Sequence, residues 1–319
     1  MGQKINPHIL RLGINQKEWN NKYLEKNIEE SSFYIFKTLE IQKYVSRFFF
    51  LHGLLVHTCK IRYTDNSLNL HVSFYCSKRF LKQIQFLNIE NNFKTFSNLQ
   101  GYSNIKKTFF KVLTKQPKKR IKSIKNYKNI TSQINFKTNQ ILNFNSFSNK
   151  LIECLSKYTK NNIIVNIVLQ NLNKGLSLRL VNKESQLFRK LILRLRKFSN
   201  NEFFKETINV VLISLKKKNS AKFLCEFIAR EISQLKRHNY YLNFLKEILL
   251  VLVKSTFSSV NGIKIVINGR FNGAPRSKKK IILVGNVPTQ TIISSVDYYK
   301  TTSYTQNGTF GVHVWITEK

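Results

Sequence analysis

Acid is scarce in this sequence. It has two aspartates, Asp65 and Asp297, and 16 Asp and Glu in all against 54 Lys and Arg. Two-metal nucleases and polymerases hold their cations on clustered carboxylates, and two Asp so far apart make such a cluster hard to assemble. Most Glu residues sit in Lys-rich helical stretches and read as surface ion pairs. No His has a nucleophile and an orienting acid nearby in sequence, and P-loop, GxGxxG and HExxH patterns are missing. Cys59, Cys76, Cys154 and Cys225 are scattered, with no CxxC pair and no His at a ligand spacing, so neither a metal nor a cofactor is expected. They read as buried or partly buried thiols of a reducing compartment.

Long apolar runs are missing too. The longest, Ile248–Val253, falls far below the ~20 residues that span a bilayer, and no amphipathic helix separates a basic face cleanly from an apolar one. A membrane is therefore not an expected partner. MGQKIN has Asn6 where a myristoylation signal needs Ser or Thr, and no Arg-rich presequence is read before it. Import is not expected to be needed.

Positive charge is abundant: the formal net charge is +38 over 319 residues. A folded chain with that imbalance repels itself unless it lies beside a polyanion. The 42% of hydrophobic residues still supplies a sizeable core. Ala occurs only at 221, 229 and 274, while Asn, Ile, Lys and Phe abound. That bias is what an AT-rich coding sequence, common in organelle genomes, produces.

The opening, to about Tyr23, holds Gly2, Pro7 and Gly13 among polar and basic residues and reads as an extended arm laid on a partner. From about 32 to 50, Ile35, Leu39, Tyr44 and Phe48 recur at helical spacing. Runs at 54–63 and 68–75 flank the turn signal Asp65-Asn66-Ser67 and predict a hairpin. Between Glu90 and Glu153 no acid occurs, while Lys118, Lys119, Arg120 and Lys122 lie in the middle among scattered Phe and Tyr. Such a segment cannot close a neutral core and is suited to phosphates and bases; a solvated low-complexity insertion is the plainer alternative.

Further along, the pattern predicts a strand at 162–169, a helix at 184–198 and a strand at 207–215. One long helix or two consecutive helices follow from 220 to about 254, interrupted near His238 and Asn239. After Gly262 the period becomes two: Ile263, Ile265 and Ile267 form one face, 281–284 reads as a buried run, and Val312, Val314 and Ile316 alternate with His313, Trp315 and Thr317. The last hundred residues read as helix packed on a small mixed sheet, an α+β domain. Gly308-Thr309-Phe310-Gly311 fits the GxxG of a KH loop, but that loop must join two helices, and before a terminal strand a β-turn is the better reading.

The opening MGQKINPHILRLGI resembles ribosomal protein S-three of bacteria and organelles, where MGQK-x-NP and RLGI recur in this order. GIKIVINGRFNGA at 262–274, Val287-Pro288, Asp297-Tyr298 and GTFGVHVWI at 308–316 resemble that family's GIKV-x-SGR-x-GGA, RVP, IDY and GVIGVKVWI. The stretch from Ser220 to Arg237 is similar to the helix leading into the family's C-terminal domain. The resemblance covers 1–24 and 207–319, with weaker support at 45–75. It implies an α+β chain: an arm at 1–24, a KH-type N-terminal domain at 25–217 with a large basic insertion at about 78–206, and a C-terminal domain at 218–319.

The resemblance further implies a structural, non-enzymatic component of the small ribosomal subunit head, binding rRNA beside the S-ten and S-fourteen families and helping form the point where mRNA enters. Two departures stand out. The family's GxxG after the hairpin has no counterpart, since no Gly lies between Gly53 and Gly101. Of the family's basic cluster facing mRNA, Lys236 and Arg237 fit the start, Tyr240 to Phe244 depart, and only Lys246 follows nearby. Such divergence within a retained framework points to a mitochondrial, organelle-encoded member first and a plastid one second. The expected rRNA contacts are Lys4, Arg11, Lys118, Lys119, Arg120, Lys122, Arg270, Arg276 and Lys278, Lys279 and Lys280, acting by charge neutralisation. The rival class is an organelle-encoded RNA-processing enzyme or intron maturase, which would need a carboxylate set.

Overall fold

The computed structural model describes residues 5–14, 20–27, 29–64, 66–77, 147–159, 163–173, 193–235, 237–253, 255, 258–273 and 278–319. The chain divides into two compact units, one of 1–63, 69–77 and 168–319, the other of 64–68 and 78–167.

In the larger unit the arm is not simply extended. It forms α1 (Pro7–Leu10), which starts where the Asn6 side chain accepts a hydrogen bond from His8 N–H (3.0 Å) and Pro7 takes the first helical turn. A two-residue strand, β1 (Asn21–Lys22), then pairs parallel with Ile61 and Arg62. Helix α2 (Glu30–Leu51) leads into β2 (Leu54–Tyr63) and β3 (Ser67–Cys76), the expected hairpin. The helix turns a different side inward from the one its spacing suggested: Thr38, Ile41, Val45 and Phe49 are buried, whereas Ile35 and Leu39 are about half exposed. With Phe33 and Phe36 also apolar, the sequence has no single apolar stripe to identify.

The smaller unit contains α3 (147–158), on which Leu151 and Leu155 lie one turn apart and buried. The next strand, β4 (Ile164–Asn171), is shared by both units and ends the sheet order β1-β2-β3-β4. As an edge strand it has no fully buried residue. Most of the predicted helix at 184–198 lies outside the described residues; its end is a short 3₁₀ turn, Arg196–Phe198.

The predicted strand at 207–215 is instead part of a helix, α4 (Phe203–Lys216). Its ten buried residues include Thr207, Ile208, Val210, Val211 and Ile213, so β-branched content gives way to burial nearly all round. Two helices follow, α5 (Ala221–Gln234) and α6 (His238–Val253), with the break just before the expected place. His238 N–H donates to the Asn272 side chain (3.3 Å), and the buried imidazole packs against Phe271 and Phe310.

The C-terminal sheet comprises β5 (Val260–Asn268), β6 (Lys279–Gly285), β7 (Val296–Thr305) and β8 (Gly308–Glu318), in the order β6-β5-β8-β7. All three pairings are antiparallel, so this sheet is not mixed. One core runs from Leu55 and Tyr75 through α4, α5 and α6 to Ile263, Ile265, Ile267, Val312, Val314 and Ile316. Each fully buried large aliphatic side chain contributes about 1.5–3 kcal/mol. The 281–284 run alternates rather than being buried throughout: Ile282 and Val284 face the core, while Ile281 and Leu283 are each 56% exposed. Gly308 opens β8 after a two-residue hairpin turn, with φ of 116°.

Candidate nucleic-acid interface

Several basic residues of the C-terminal domain lie at one corner. Lys279 pairs in register with Asn268, Lys280 with Ile267, and Gly269 N–H donates to Lys278 O (3.1 Å), so Lys278, Lys279 and Lys280 sit where β5 ends and Arg270 follows. The start of α6 meets the same corner through the His238–Asn272 bond, bringing Arg237 close in sequence to it. Lys280 reaches inward, its ammonium on the Asn239 side chain and 5.1 Å from the Phe271 ring centre. Arg237, Arg270, Lys278 and Lys279 are exposed. Lys246 is exposed farther along α6, beside Asn243 and Glu247 rather than in a basic stripe. Lys4, Lys118, Lys119, Arg120, Lys122, Lys236 and Arg276 lie outside the described residues.

Arg11 departs from the expected RNA contact. It is 4% exposed, and its guanidinium is spent inside the protein. Nη1 donates to Pro7 O (3.1 Å), while Nη2 faces the carbonyl oxygens of Pro288 (3.2 Å), Thr289 (3.2 Å) and Thr291 (2.7 Å). A rigid fork that is always charged suits a nest of carbonyls. The arm is thus held by its own C-terminal domain, not only by partners. His8 adds to the hold, its Nε2 lying 2.8 Å from Tyr298 O and 3.5 Å from the Asp297 carboxylate.

Sequence reasoning missed the task of Asp297. Its Oδ2 accepts from Ala221 N–H at 2.7 Å, capping α5 from a neighbouring strand. A carboxylate at a helix N-terminus satisfies an orphan donor and complements the helix dipole. No sequence signal points to this: α5 begins after Ser220, a residue type that caps helices itself, and Asp297 lies 76 residues beyond Ala221. A carboxylate pair is structural as well: Glu206 and Glu231 flank Arg230, with Arg230 Nη2 2.8 Å from Glu206 and 3.8 Å from Glu231.

The thiols do not gather. Cys76 and Cys225 are buried, burial pushing Cys225 up to about 12, and Cys154 is exposed where a buried or partly buried thiol was expected. Among the described residues no group of three His, Cys, Asp or Glu could hold a metal ion, and no helix is long and apolar enough to cross a membrane.

Residues 233–316, which hold the basic corner and the whole four-stranded sheet up to Ile316, match the family model described as ribosomal protein S3, C-terminal domain. This domain is similar to the C-terminal domain of the ribosomal S3 family. Relatives of the chain include small ribosomal subunit protein uS3 of Neorickettsia sennetsu, 30% identical over 119 residues, or 37% of this chain and 53% of that protein. Protein uS3c of Emiliania huxleyi is 31% identical over 137 residues, 43% of this chain and 59% of the relative. Over the shorter span of 55 residues, uS3 of Aquifex pyrophilus reaches 44% identity, covering 17% of this chain and 24% of that protein. The chain thus spans about half the length of the first of these relatives. In this domain, Gly262, which opens the 262–274 motif, has a steric reason. Gly262 faces Gly285 in register, and a Cβ on Gly262 would come within 2.4 Å of Asn286 O. Glycine lets the two backbones close at that end of the sheet.

Proposed function

We propose that this protein is a structural constituent of the small ribosomal subunit, present in stoichiometric amount and turning over no substrate. In this reading it sits in the subunit head beside the S-ten and S-fourteen families, binds rRNA and helps form the point where mRNA enters. The N-terminal hairpin with α2 serves as a KH-type frame carrying the basic insertion, and the organelle is the mitochondrion, with the plastid as second choice.

The observation that carries the reading is the exposed corner of Arg237, Arg270, Lys278 and Lys279 on a domain similar to the S3 C-terminal domain, in a chain of net charge +38. Lysine and arginine there neutralise phosphates, while sheet and helix fix where the charges lie. Lys4, Arg276, Lys118, Lys119, Arg120 and Lys122 extend the RNA contact, and Lys236, Arg237 and Lys246 face mRNA. Arg11 acts on the fold instead.

The test is binding of the full chain to small-subunit rRNA as a function of salt. Replacing Arg270, Lys278 and Lys279 with Gln should reduce the slope of log K against log salt by up to about 2–3 units, at roughly 0.7–0.9 per phosphate. An unchanged slope would remove this corner from the RNA contact.

A further inference from the structure

The face of the C-terminal sheet turned away from α5 and α6 has a composition that the basic corner does not explain. Three successive outward rows follow from the register. The first holds Leu283, Lys264, Trp315 and Tyr298; the second Ile281, Val266, His313 and Lys300; the third Lys279, Asn268, Gly311 and Thr302. No acid occupies any of these positions. The inward rows between them carry Ile282, Ile265 and Val314, then Ile267 and Val312, which fill the core. Of the outward positions only Val266 is buried; the others are exposed or half-buried.

Those positions form a continuous surface. His313 and Trp315 lie nearly parallel, 17° apart with centres 5.9 Å apart, and Tyr298 lies 5.0 Å from Trp315 and 6.2 Å from His313. Tyr298 Oη and His313 Nδ1 are 2.9 Å apart, which fixes both rings. Each is only half-buried. Lys264 Nζ stands 5.4 Å from the Trp315 ring centre, and Lys279 and Lys300 are exposed on either side. Burial, then Lys300 and Lys279, lower the His313 pKa, so the ring adds no charge of its own at neutral pH.

We infer that this outward sheet face is a stacking platform for unpaired bases of single-stranded RNA, with Lys264, Lys279 and Lys300 taking the flanking phosphates. It rests on the RNA-binding role proposed above and adds a distinct mode, base stacking, to phosphate neutralisation at the corner. Aromatic rings interleaved with lysines and free of acids match a polyanion with flat bases. A protein surface would meet the same three lysines without the gain from stacked bases.

The full chain carries two tryptophans, so Trp19→Phe leaves Trp315 as the sole indole reporter. In that background, a ten-residue oligouridine should quench Trp315. It should bind about 5- to 150-fold more tightly than an abasic ribose-phosphate oligomer of the same length, the range expected for one stacked base. With labelled oligomers read by anisotropy, Trp315→Ala should erase this preference and Trp315→Phe should keep most of it. Lys264→Gln with Lys300→Gln, which leaves the rings in place, should flatten the salt dependence by up to about 1.4 units while quenching at low salt persists. Equal binding of the two oligomers without quenching would overturn the platform and leave the phosphate-binding role standing; binding of neither at low salt would overturn both. Quenching by RNA-free small-subunit proteins but not by oligouridine would overturn it in favour of a protein partner.

Discussion

Replacing Arg11 with Met tests whether this residue serves the fold or the RNA. The side chain keeps its length and loses its fork, leaving the carbonyls of Pro288, Thr289 and Thr291 without their donor. Nη2 has two hydrogens for these acceptors, so the three contacts amount to about two good bonds, the shortest being 2.7 Å to Thr291. A bond from a charged donor contributes about 1.5–3 kcal/mol, giving about 3–6 kcal/mol for two. Arg11 also borders a cavity, through which water can reach part of the freed carbonyl nest, and the expected loss falls to about 2–4 kcal/mol. Urea unfolding should register it, and hydrogen exchange should quicken at 287–295 before it does in α5. The same variant should leave the salt slope of RNA binding unchanged. Unaltered stability with a slope reduced by roughly 0.7–0.9 would mean that Arg11 holds a phosphate, and the structural role assigned to it would be wrong.

Three further outcomes follow from the fold. Burial holds the His57 pKa down at about 4, with Lys217 adding to the shift, so the folded imidazole stays neutral while the unfolded one gains a proton near pH 6.5. Stability is then full above pH 6.5 and is lost as pH falls towards 4, by up to about 3 kcal/mol; His57→Gln should flatten this profile in pH-dependent urea titrations. Asp297→Ala should cost about 0.5–2 kcal/mol by uncapping α5, and Asp297→Asn, which keeps an acceptor, distinctly less in thermal melts. Gly262→Ala should destabilise by more than 2 kcal/mol, because the clash is with the Asn286 backbone and not with a movable side-chain end.

The elements that the sequence reveals well are those with one wet face. In β5 and β8 the alternation of Ile263, Ile265 and Ile267, and of Val312, Val314 and Ile316, gives both the strands and the side they bury. In α4 it fails, because a helix buried nearly all round has no polar stripe to show its period, and Thr207, Ile208, Val210 and Val211 then read as a strand. On β6 the apolar run hides an alternation, since Ile281 and Leu283 are apolar on the outward face as well. The basic corner is legible as the residue types that end one strand and begin the next. Arg11 and Asp297 are not: the first needs the 288–294 loop and the second the start of α5, both reached only through tertiary contact. The aromatic row is split between β7 and β8, and only their register unites Tyr298 with Trp315.

The most direct measurement is sedimentation of the tagged full chain from lysed mitochondria through a sucrose gradient in high salt, with small-subunit rRNA quantified in each fraction. The account predicts that the chain travels with the small subunit at close to one copy per rRNA, and that ribonuclease digestion releases it. A chain that stays at the top of the gradient in high salt while intact small subunits sediment without it would contradict the central claim.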